Sequence, residues 1–382
     1  MRSNWMMQIN SLASRRWLSV CLSAAALALS ACGNEPVAAA GPAPHHRDGG
    51  FRNNYTDQIP PGFAALMRWR YEAWRDGLPA PPASATPAIV PDLGLIQSNA
   101  KAGARMVPTV TWIGHATVLA QLGGLNVLTD PIFSTRASPL SFIGPTRAQK
   151  PGLWQHELPH IDLVLISHNH YDHLDDDSVR ALAGQAGGPP LFVVPLGLKA
   201  WFAKRDITQV VELDWWQSHR LADVEVVLTP VQHWSGRSLS DRMDTLWGGY
   251  ALFARELHLF FCGDSGYSKD FADIRERFAA RQGPDQGGGF DVALLPIGAY
   301  EPRWFMRQQH INPEEAVRIH RDLGAKASLG IHWGTFQLTD EPLDEPPRAL
   351  AHARREHGVA DSAFLTLSIG QTRRLAPRRP RP

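Results

Sequence analysis

The sequence is poor in cysteine, in net charge and in long hydrophobic runs. Of its 3 cysteines in 382 residues, only Cys262 would stay free once an N-terminal leader is removed and Cys32 is lipidated, which leaves no intramolecular disulfide. A formal net charge of +1, or −2 after loss of the three leader arginines, argues against a nucleic-acid partner. The apolar residues 17–31, about fifteen in number, are too few to span a bilayer. Stability must come largely from a core, for which 44% hydrophobic residues suffice.

Residues 1–31 have the features of a signal peptide. Basic residues precede the apolar run, which ends in a small-residue cleavage site, Leu29-Ser30-Ala31, directly before Cys32. This pattern resembles a bacterial lipoprotein signal, in which Cys32 becomes the lipidated first residue; the alternative is an ordinary signal peptide with an incidental cysteine. Asn34, two positions later, favours the outer membrane. We therefore expect an envelope lipoprotein that faces the periplasm and is held to the membrane through Cys32.

Segments of biased composition flank the central part of the chain. Residues 32–50 are rich in Ala, Pro and Gly, which predicts a flexible tether that includes His45 and His46. Residues 51–106 form an extension that we expect to pack on the main body, with one helix over residues 63–74. Residues 373–382 are basic and proline-rich, which predicts a disordered tail.

From residue 107 to residue 372, short apolar strands alternate with Gly- and Pro-containing loops and with helical patterns. The helical patterns cover residues 176–184, 269–280, 313–323 and 347–357. Two sheets with helices on their outer faces accommodate this number of elements in one domain. We therefore predict an α/β fold, a four-layer αββα sandwich.

A cluster of metal-binding residue types follows one predicted strand. His168, His170, Asp172 and His173 come directly after the apolar residues 161–166. Imidazole nitrogens and carboxylate oxygens bind zinc at about 2.0–2.2 Å. Because alternate residues of an extended segment point the same way, His168 and His170 can bind one ion while the turn beyond directs the other two toward a second. The alternative is a polar loop whose histidines cluster without binding metal.

Three further residues stand in the same context elsewhere in the chain. His233, Asp264 and His332 each follow a short apolar segment and precede a glycine-containing loop. Taken singly, such a residue is more often a structural one. Their repeated position at strand ends favours a single site shared with the histidine cluster.

Longer sequence blocks resemble the metallo-β-lactamase fold hydrolases, and within them the N-acyl-phosphatidylethanolamine-hydrolysing phospholipases D. The resemblance extends from about residue 107 to residue 367. It is carried by the His-x-His-x-Asp-His run and by the blocks TWIGHAT (111–117), TDPIFSTRASP (129–139), ELDWW (212–216), QHW (232–234), PIGAYEPRWFM (296–306) and HWGTF (332–336).

The resemblance implies two zinc ions per chain and assigns their ligands. It places one zinc on His168, His170 and His233. It places the second on Asp172, His173 and His332, and it makes Asp264 the bridge. The implied reaction is hydrolysis of an N-acyl-phosphatidylethanolamine-like phospholipid to phosphatidic acid and an N-acylethanolamine, through attack by a metal-bridging hydroxide. Asp172 and Asp264 would then act in catalysis as well as in metal binding.

Three more residues receive roles near this site. His310 stands just before a predicted helix start at Asn312, where it could donate to a phosphate oxygen or assist the leaving group; the alternative is a capping or packing role. The resemblance favours the catalytic role. His115 and Asp130 follow predicted strands and are expected to support the ligands, Asp130 by accepting a ligand histidine's second ring N–H.

Other functions remain open from the sequence. The same metal chemistry opens lactones, β-lactams and other esters, so the substrate is not fixed by the ligands. A non-catalytic zinc-binding envelope lipoprotein is a further alternative, which the full set of ligand residues disfavours. No sequence pattern determines the oligomeric state.

Overall fold

Two seven-stranded sheets hold most of the strands in the computed structural model, which describes residues 43–58, 61–238 and 240–378. A short hairpin precedes them, with strands β1 (His46–Arg47) and β2 (Gly50–Phe51). In spatial order the first sheet consists of β16 (Thr372–Arg374), β3 (Thr109–Gly114), β4 (Thr117–Leu122), β5 (Leu125–Thr129), β6 (Leu163–Leu165), β7 (Leu191–Pro195) and β8 (Val210–Leu213). Strands β5 to β8 are parallel, and β16 to β5 are antiparallel.

The second sheet repeats this mixed arrangement. In spatial order it consists of β15 (Phe364–Thr366), β14 (Ser328–Ile331), β13 (Val292–Pro296), β12 (His258–Phe261), β11 (Gly249–Phe253), β10 (Val224–Thr229) and β9 (Ser218–Leu221). Its parallel half runs from β12 to β15. Because the parallel strands of each sheet end at one edge, the residues that follow them are brought close together.

The described part of the chain contains eight α-helices. They are α1 (Phe63–Arg75), α2 (Leu93–Ala100), α3 (Asp176–Ala183), α4 (Lys199–Ala203), α5 (Asp270–Arg277), α6 (Arg303–Met306), α7 (Pro313–Asp322) and α8 (Glu345–Glu356). The start of α7 follows from its sequence: the Asn312 side chain accepts from the Glu315 amide at 2.8 Å, and Glu315 accepts from the Asn312 amide at 3.0 Å. None of the helices in the described part of the chain is long and apolar enough to cross a bilayer.

Two apolar layers lie on either side of the first sheet. Side chains such as Leu163 and Leu165 point into the large core between the sheets, whereas the intervening Val164 points outward. The outward side chains pack against α2, α3 and α4, through residues such as Ile96 and Val179. With α5, α7 and α8 on the far side of the second sheet, the layers run helix, sheet, sheet, helix. The predicted αββα sandwich is confirmed.

The predicted tether is wrong at its C-terminal end. Pro44 and the residues after it belong to the folded unit, and His45 and His46 are not linker, because both rings contact Asp214 of the body. We call residues 44–55 the N-terminal strap. Long-range contacts of this kind leave no local mark in an Ala-, Pro- and Gly-rich sequence. The predicted leader and Cys32 lie outside the described residues.

The predicted disordered tail is also wrong as far as it is described. Arg373 and Arg374 continue β16, which pairs with β3 at the edge of the first sheet. Arg378 is buried, and its guanidinium donates to the carbonyl oxygens of Gly288 and Gly289. Strand pairing and these hydrogen bonds order the segment despite its basic, proline-rich composition.

The N-terminal extension lies against the body through α1. Trp69 and Ala73 pack on Phe305 and Met306 of α6. The Trp69 indole N–H also donates to Asp340 at 2.8 Å. One face of α1 is thereby fixed close to the loop that carries His310.

Candidate metal centre

The site residues lie where strands end. His168 follows β6, His233 follows β10, Asp264 follows β12 and His332 follows β14. Gly263 has a φ of 62°, and a Cβ at this position would lie 2.5 Å from the Cβ of Ser167, so only glycine permits this approach between the two sheets. The sequence therefore brings ligand-type side chains from both sheets to one edge of the sandwich.

Three histidines converge in one half of the site. The His168 Nε2 and His170 Nδ1 atoms are 2.8 Å apart, and the His233 Nε2 atom is 3.3 Å from the same Nδ1. All three ring atoms lie within 4.8 Å of one another. The structure thus groups the residues predicted to share the first ion.

The other half is formed by histidines and carboxylates. His173 Nε2 lies 3.2 Å from His332 Nε2, and both approach Asp172 Oδ2, at 3.3 and 3.4 Å. Asp264 reaches across: its Oδ2 is 3.0 Å from His173 Nε2 and 4.0 Å from His233 Nε2. The structure groups the residues predicted for the second ion and places Asp264 beside both halves.

Hydrogen bonds on the far side of the rings fix which nitrogen is free. His173 Nδ1 donates to Asp130 at 2.6 Å, as predicted for this aspartate. The Ser167 hydroxyl donates to Asp130 at 2.5 Å, so its oxygen accepts from His168 Nδ1 at 2.8 Å. His233 Nδ1 donates to the Gln309 carbonyl at 2.8 Å. When these rings are neutral, as they are in ligands of a metal ion, each Nε2 therefore presents a lone pair to the centre of the site.

Burial and nearby carboxylates shift the histidine pKa values in opposite directions in the two halves of the site. Burial lowers the pKa of His170 to about 4 and that of His233 to about 3, so both are neutral at pH 7 and available as ligands. Burial alone would also lower the pKa of His332, but the charge of Asp264 and a hydrogen bond with Asp172 raise it to about 9. The carboxylate half therefore attracts a positive charge.

The donor set fits bound metal. The ring nitrogens of His168, His170 and His233 that face one another lie 2.8–3.3 Å apart, a convergence that a shared cation would stabilise. The Oδ1 atom of Asp264 is buried and makes no hydrogen bond; its nearest charged neighbour is the Nε2 atom of His332 at 3.2 Å. A bound cation would satisfy this carboxylate oxygen. Nitrogen and oxygen ligands at these positions suit a divalent ion of the zinc class.

His115 contacts two of the predicted ligands, Asp172 and His332, directly. Its Nε2 atom is 2.9 Å from Asp172 Oδ2, and its ring centroid is 3.9 Å from that of His332. The His332 amide donates to the His115 carbonyl at 3.0 Å. Both residues have positive φ, 53° and 62°, a strained backbone that such sites retain when it aims a side chain.

His310 faces the same space from the opposite wall. Its Nδ1 atom lies 3.8 Å from Asp264 Oδ2 and has no hydrogen-bond partner. Arg303 holds the segment by donating to the His310 carbonyl at 2.8 Å. Burial lowers the pKa of His310 to about 3, so its imidazole is neutral and offers one N–H donor to a group beside Asp264.

Besides Ser167, the residues Asn53 and Gln309 support the ligands and could not be found from the sequence. The Asn53 side chain donates to the His233 carbonyl at 2.9 Å and accepts from the His233 amide at 3.0 Å. Gln309 orients the His233 ring through a backbone carbonyl, which its residue type does not reveal. Asn53 lies 180 residues from its partner, and no local pattern marks such a contact.

A comparison with protein-family models establishes the superfamily to which the chain belongs. The model of the Beta-lactamase superfamily domain matches residues 125–333, more than half of the sequence. The chain belongs to the metallo-β-lactamase superfamily. The matched segment includes every residue of the two groups described above.

Similar proteins indicate the branch of the superfamily to which the chain belongs. An uncharacterized protein of Mycobacterium tuberculosis is 40% identical over 357 residues, 91% of this chain and 90% of its own length. N-acyl-phosphatidylethanolamine-hydrolyzing phospholipase D 1 of Caenorhabditis elegans is 40% identical over 276 residues, 68% of this chain and 74% of its own. This superfamily member therefore falls in the branch that contains the phospholipase D relatives.

Two solved structures share the fold of this chain. An isothiocyanate hydrolase from Delia radicum gut bacteria matches with a TM-score of 0.54 and 19% identity, over 70% of this chain and 99% of its own. CmlA, a diiron β-hydroxylase from Streptomyces venezuelae, matches with a TM-score of 0.51 and 20% identity, over 70% of this chain and 54% of its own. At these identities the likeness establishes the fold and leaves the reaction open.

Proposed function

We propose that this metal-dependent hydrolase of the metallo-β-lactamase superfamily is a zinc-dependent phosphodiesterase of the phospholipase D type. It hydrolyses N-acyl-phosphatidylethanolamine-like phospholipids to phosphatidic acid and N-acylethanolamines. The observation that carries the proposal is 40% identity over 276 residues to a relative named for this activity, in a chain whose ligand residues all converge.

Two zinc ions suit the two groups of ligands. His168, His170 and His233 would hold one, whereas Asp172, His173 and His332 would hold the other; Asp264 stands next to both groups. When bound, the metal pair would supply a water nucleophile at neutral pH and neutralise charge on the phosphate oxygens. The chain's own part is to fix the ligands through Asp130, Ser167 and Gln309 and to position the phospholipid.

His310 is placed to act on the phosphate. It is neutral, lies 3.8 Å from Asp264, and its one N–H can donate to a phosphate oxygen or to the departing ethanolamine oxygen. The Arg303 contact to its carbonyl and the ion pair of Arg303 with Glu315 at 2.7 Å keep this segment fixed. A donor that is fixed before the reaction costs no reorganisation during it.

An apolar cavity beside the metal centre supports a lipid substrate. It has a volume of about 400 Å³ and lies between α1 and the loops that carry His233 and His310. Its lining is mainly apolar, with Pro61, Phe63, Leu66, Trp234 and Phe305, and its polar residues are Ser238, Arg242 and Gln309. Carbon-rich walls of this kind favour an acyl chain over a small polar substrate.

The exposed face of α1 also supports the proposal that the protein acts at a membrane surface. Phe63, Met67, Tyr71 and Trp74 are each at least half exposed, and their spacing places them on the face opposite the buried Trp69. A row of exposed apolar and aromatic side chains is typical of a surface that contacts lipid. Anchorage through lipidated Cys32 at the envelope, in the outer membrane facing the periplasm, would hold this face near its substrate.

The test is an assay of the purified, zinc-loaded chain against N-acyl-phosphatidylethanolamine, other phospholipids, lactones and β-lactams. We expect turnover of the N-acylated phospholipid and release of an N-acylethanolamine. The Asp264→Ala variant, prepared in parallel, should be inactive and thereby exclude a contaminating lipase. Turnover of a lactone or β-lactam without turnover of any phospholipid would overturn the proposal.

A further inference from the structure

The N-terminal strap contributes to a second group of metal-binding side chains, none of which belongs to the metal centre. His45 and His46 lie at the start of the strap, and Asp214 follows β8, the edge strand of the first sheet. His45 Nε2 is 2.6 Å from Asp214 Oδ1, and His46 Nε2 is 2.8 Å from Asp214 Oδ2. The three ligand atoms lie within 4.8 Å of one another.

The convergence of two adjacent histidines is a specific arrangement. In an extended segment, neighbouring side chains point to opposite sides, yet both imidazoles here present the same ring atom to one carboxylate. The β1–β2 hairpin sets this geometry, together with the hydrogen bond from the Arg52 amide to the His45 carbonyl at 2.9 Å.

The body holds the other side of the group in place. The Trp215 ring stacks on His45 at a centroid distance of 4.3 Å, and the Trp215 amide donates to Asp214 Oδ1 at 2.7 Å. The ring of His45 is nearly buried, whereas the His46 side chain is 30% exposed. The group is thus ordered on one side and open to solvent on the other, so an ion could enter and keep a water ligand.

The charge of the group also suits a cation. Burial raises the pKa of Asp214, but hydrogen bonds from His45 and His46 outweigh this effect and hold the pKa below its usual value. The carboxylate is therefore ionised at neutral pH. Two imidazoles and one carboxylate are the ligand types that zinc-class ions bind in sites with an open position.

We propose that His45, His46 and Asp214 form a further site for one divalent transition-metal ion of the zinc class. The ion would join the strap to the edge strand β8, across 168 residues of sequence. Since the ligands meet only in the folded chain, binding would stabilise the fold and fix the strap that carries Asn53 to His233.

The experiment titrates Zn²⁺ by calorimetry into the full chain after its metal centre has been loaded and excess metal removed, with metal content measured before and after. We expect one further zinc per chain. His46→Gln removes a ligand and should weaken this binding by at least the roughly tenfold that loss of an outer-shell partner costs. His352→Gln, which changes an exposed histidine of α8, should leave it unchanged. Zinc should also raise the melting temperature of the parent chain and of His352→Gln but not that of His46→Gln.

A second variant separates metal binding from hydrogen bonding alone. Asp214→Asn keeps a hydrogen-bonding side chain of the same size but removes the negative charge, so it should lose the added zinc while staying folded. The proposal is overturned if the parent chain takes up no further zinc. It is equally overturned if His46→Gln and Asp214→Asn bind the added zinc as tightly as the parent.

Discussion

His310 is the residue whose role depends most on its surroundings and least on its residue type. It contacts neither group of ligands through its free Nδ1 atom, which stands 3.8 Å from the nearest Asp264 oxygen. Its ring centroid is 5.3 Å from that of His233 and 5.7 Å from that of His332. Its ligand atom also lies within 4.8 Å of those of Asp264 and His332, so the metal content of a His310 variant distinguishes a substrate donor from a further ligand.

We therefore expect His310→Ala to retain its metal and lose turnover, by about 10²–10³ fold, the usual effect of removing one preorganised donor. Metal content, melting temperature and rate should be measured on one preparation, with His352→Ala as the matched surface control. Unchanged turnover, or a loss explained by unfolding, would return His310 to a packing role.

At this scale the sequence predicts much of the site. The seven ligand candidates were recognisable because each is a His or Asp at the end of an apolar segment, and the structure places all seven together. Their role as ligands stays a prediction. Ser167 and Gln309 escaped prediction because they act through a hydroxyl between two partners and through a backbone carbonyl, and many residues can supply either.

At the scale of the structural elements, the N-terminal strap connects the beginning of the folded unit to His233, one of the predicted metal ligands. Asn53 forms two hydrogen bonds with the backbone of His233, whereas its neighbour Asn54 donates to Asp270 at 2.8 Å. Through Asn53, the strap therefore holds the backbone of His233, in the loop after β10, with one donated and one accepted hydrogen bond.

Asn53→Ala should weaken metal binding in the half of the site that contains His233, by about 10- to 100-fold, as is usual when a ligand loses its outer support. Competition with a chelator measures this affinity. Asn54→Ala is the matched control, because it removes a hydrogen bond of the same strap that does not reach a ligand. Equal metal affinity in the two variants would contradict a positioning role for Asn53.

The elements were predictable where their patterns are local. Amphipathic spacing and the Asn312 cap predict α7, which the structure bounds at Pro313–Asp322. The strap and β16 were missed since each is short and gains its order from distant partners, Asp214 for the first and β3 for the second. The composition of such a segment shows that it cannot form a core of its own. It does not show which distant residues the segment contacts.

On the scale of the whole molecule, the features proposed for lipid contact lie together. The cavity is lined by Phe63 and Leu66 of α1 and by Trp234 and Gln309, which are the sequence neighbours of His233 and His310. An anchor at Cys32, a short distance in sequence before the strap, would keep this surface near a membrane.

Cys32→Ser should leave the protein unprocessed or soluble, because the residue that receives lipid is gone, while Cys21→Ser within the leader should still be anchored. Membrane fractionation of cells that express each variant, with a mass measurement of the mature chain, gives the answer. A Cys32→Ser protein that is still processed and membrane-bound would refute the lipoprotein assignment.

The central claim is that water, activated in a zinc site, cleaves a phosphodiester, and the position of an oxygen label tests it most directly. Metal-stripped protein reloaded with zinc should hydrolyse N-acyl-phosphatidylethanolamine in ¹⁸O-enriched water, and mass spectrometry should find the label in the phosphate of phosphatidic acid. Label in the N-acylethanolamine, label in a released fatty acid, or equal hydrolysis by the metal-stripped protein would contradict the account.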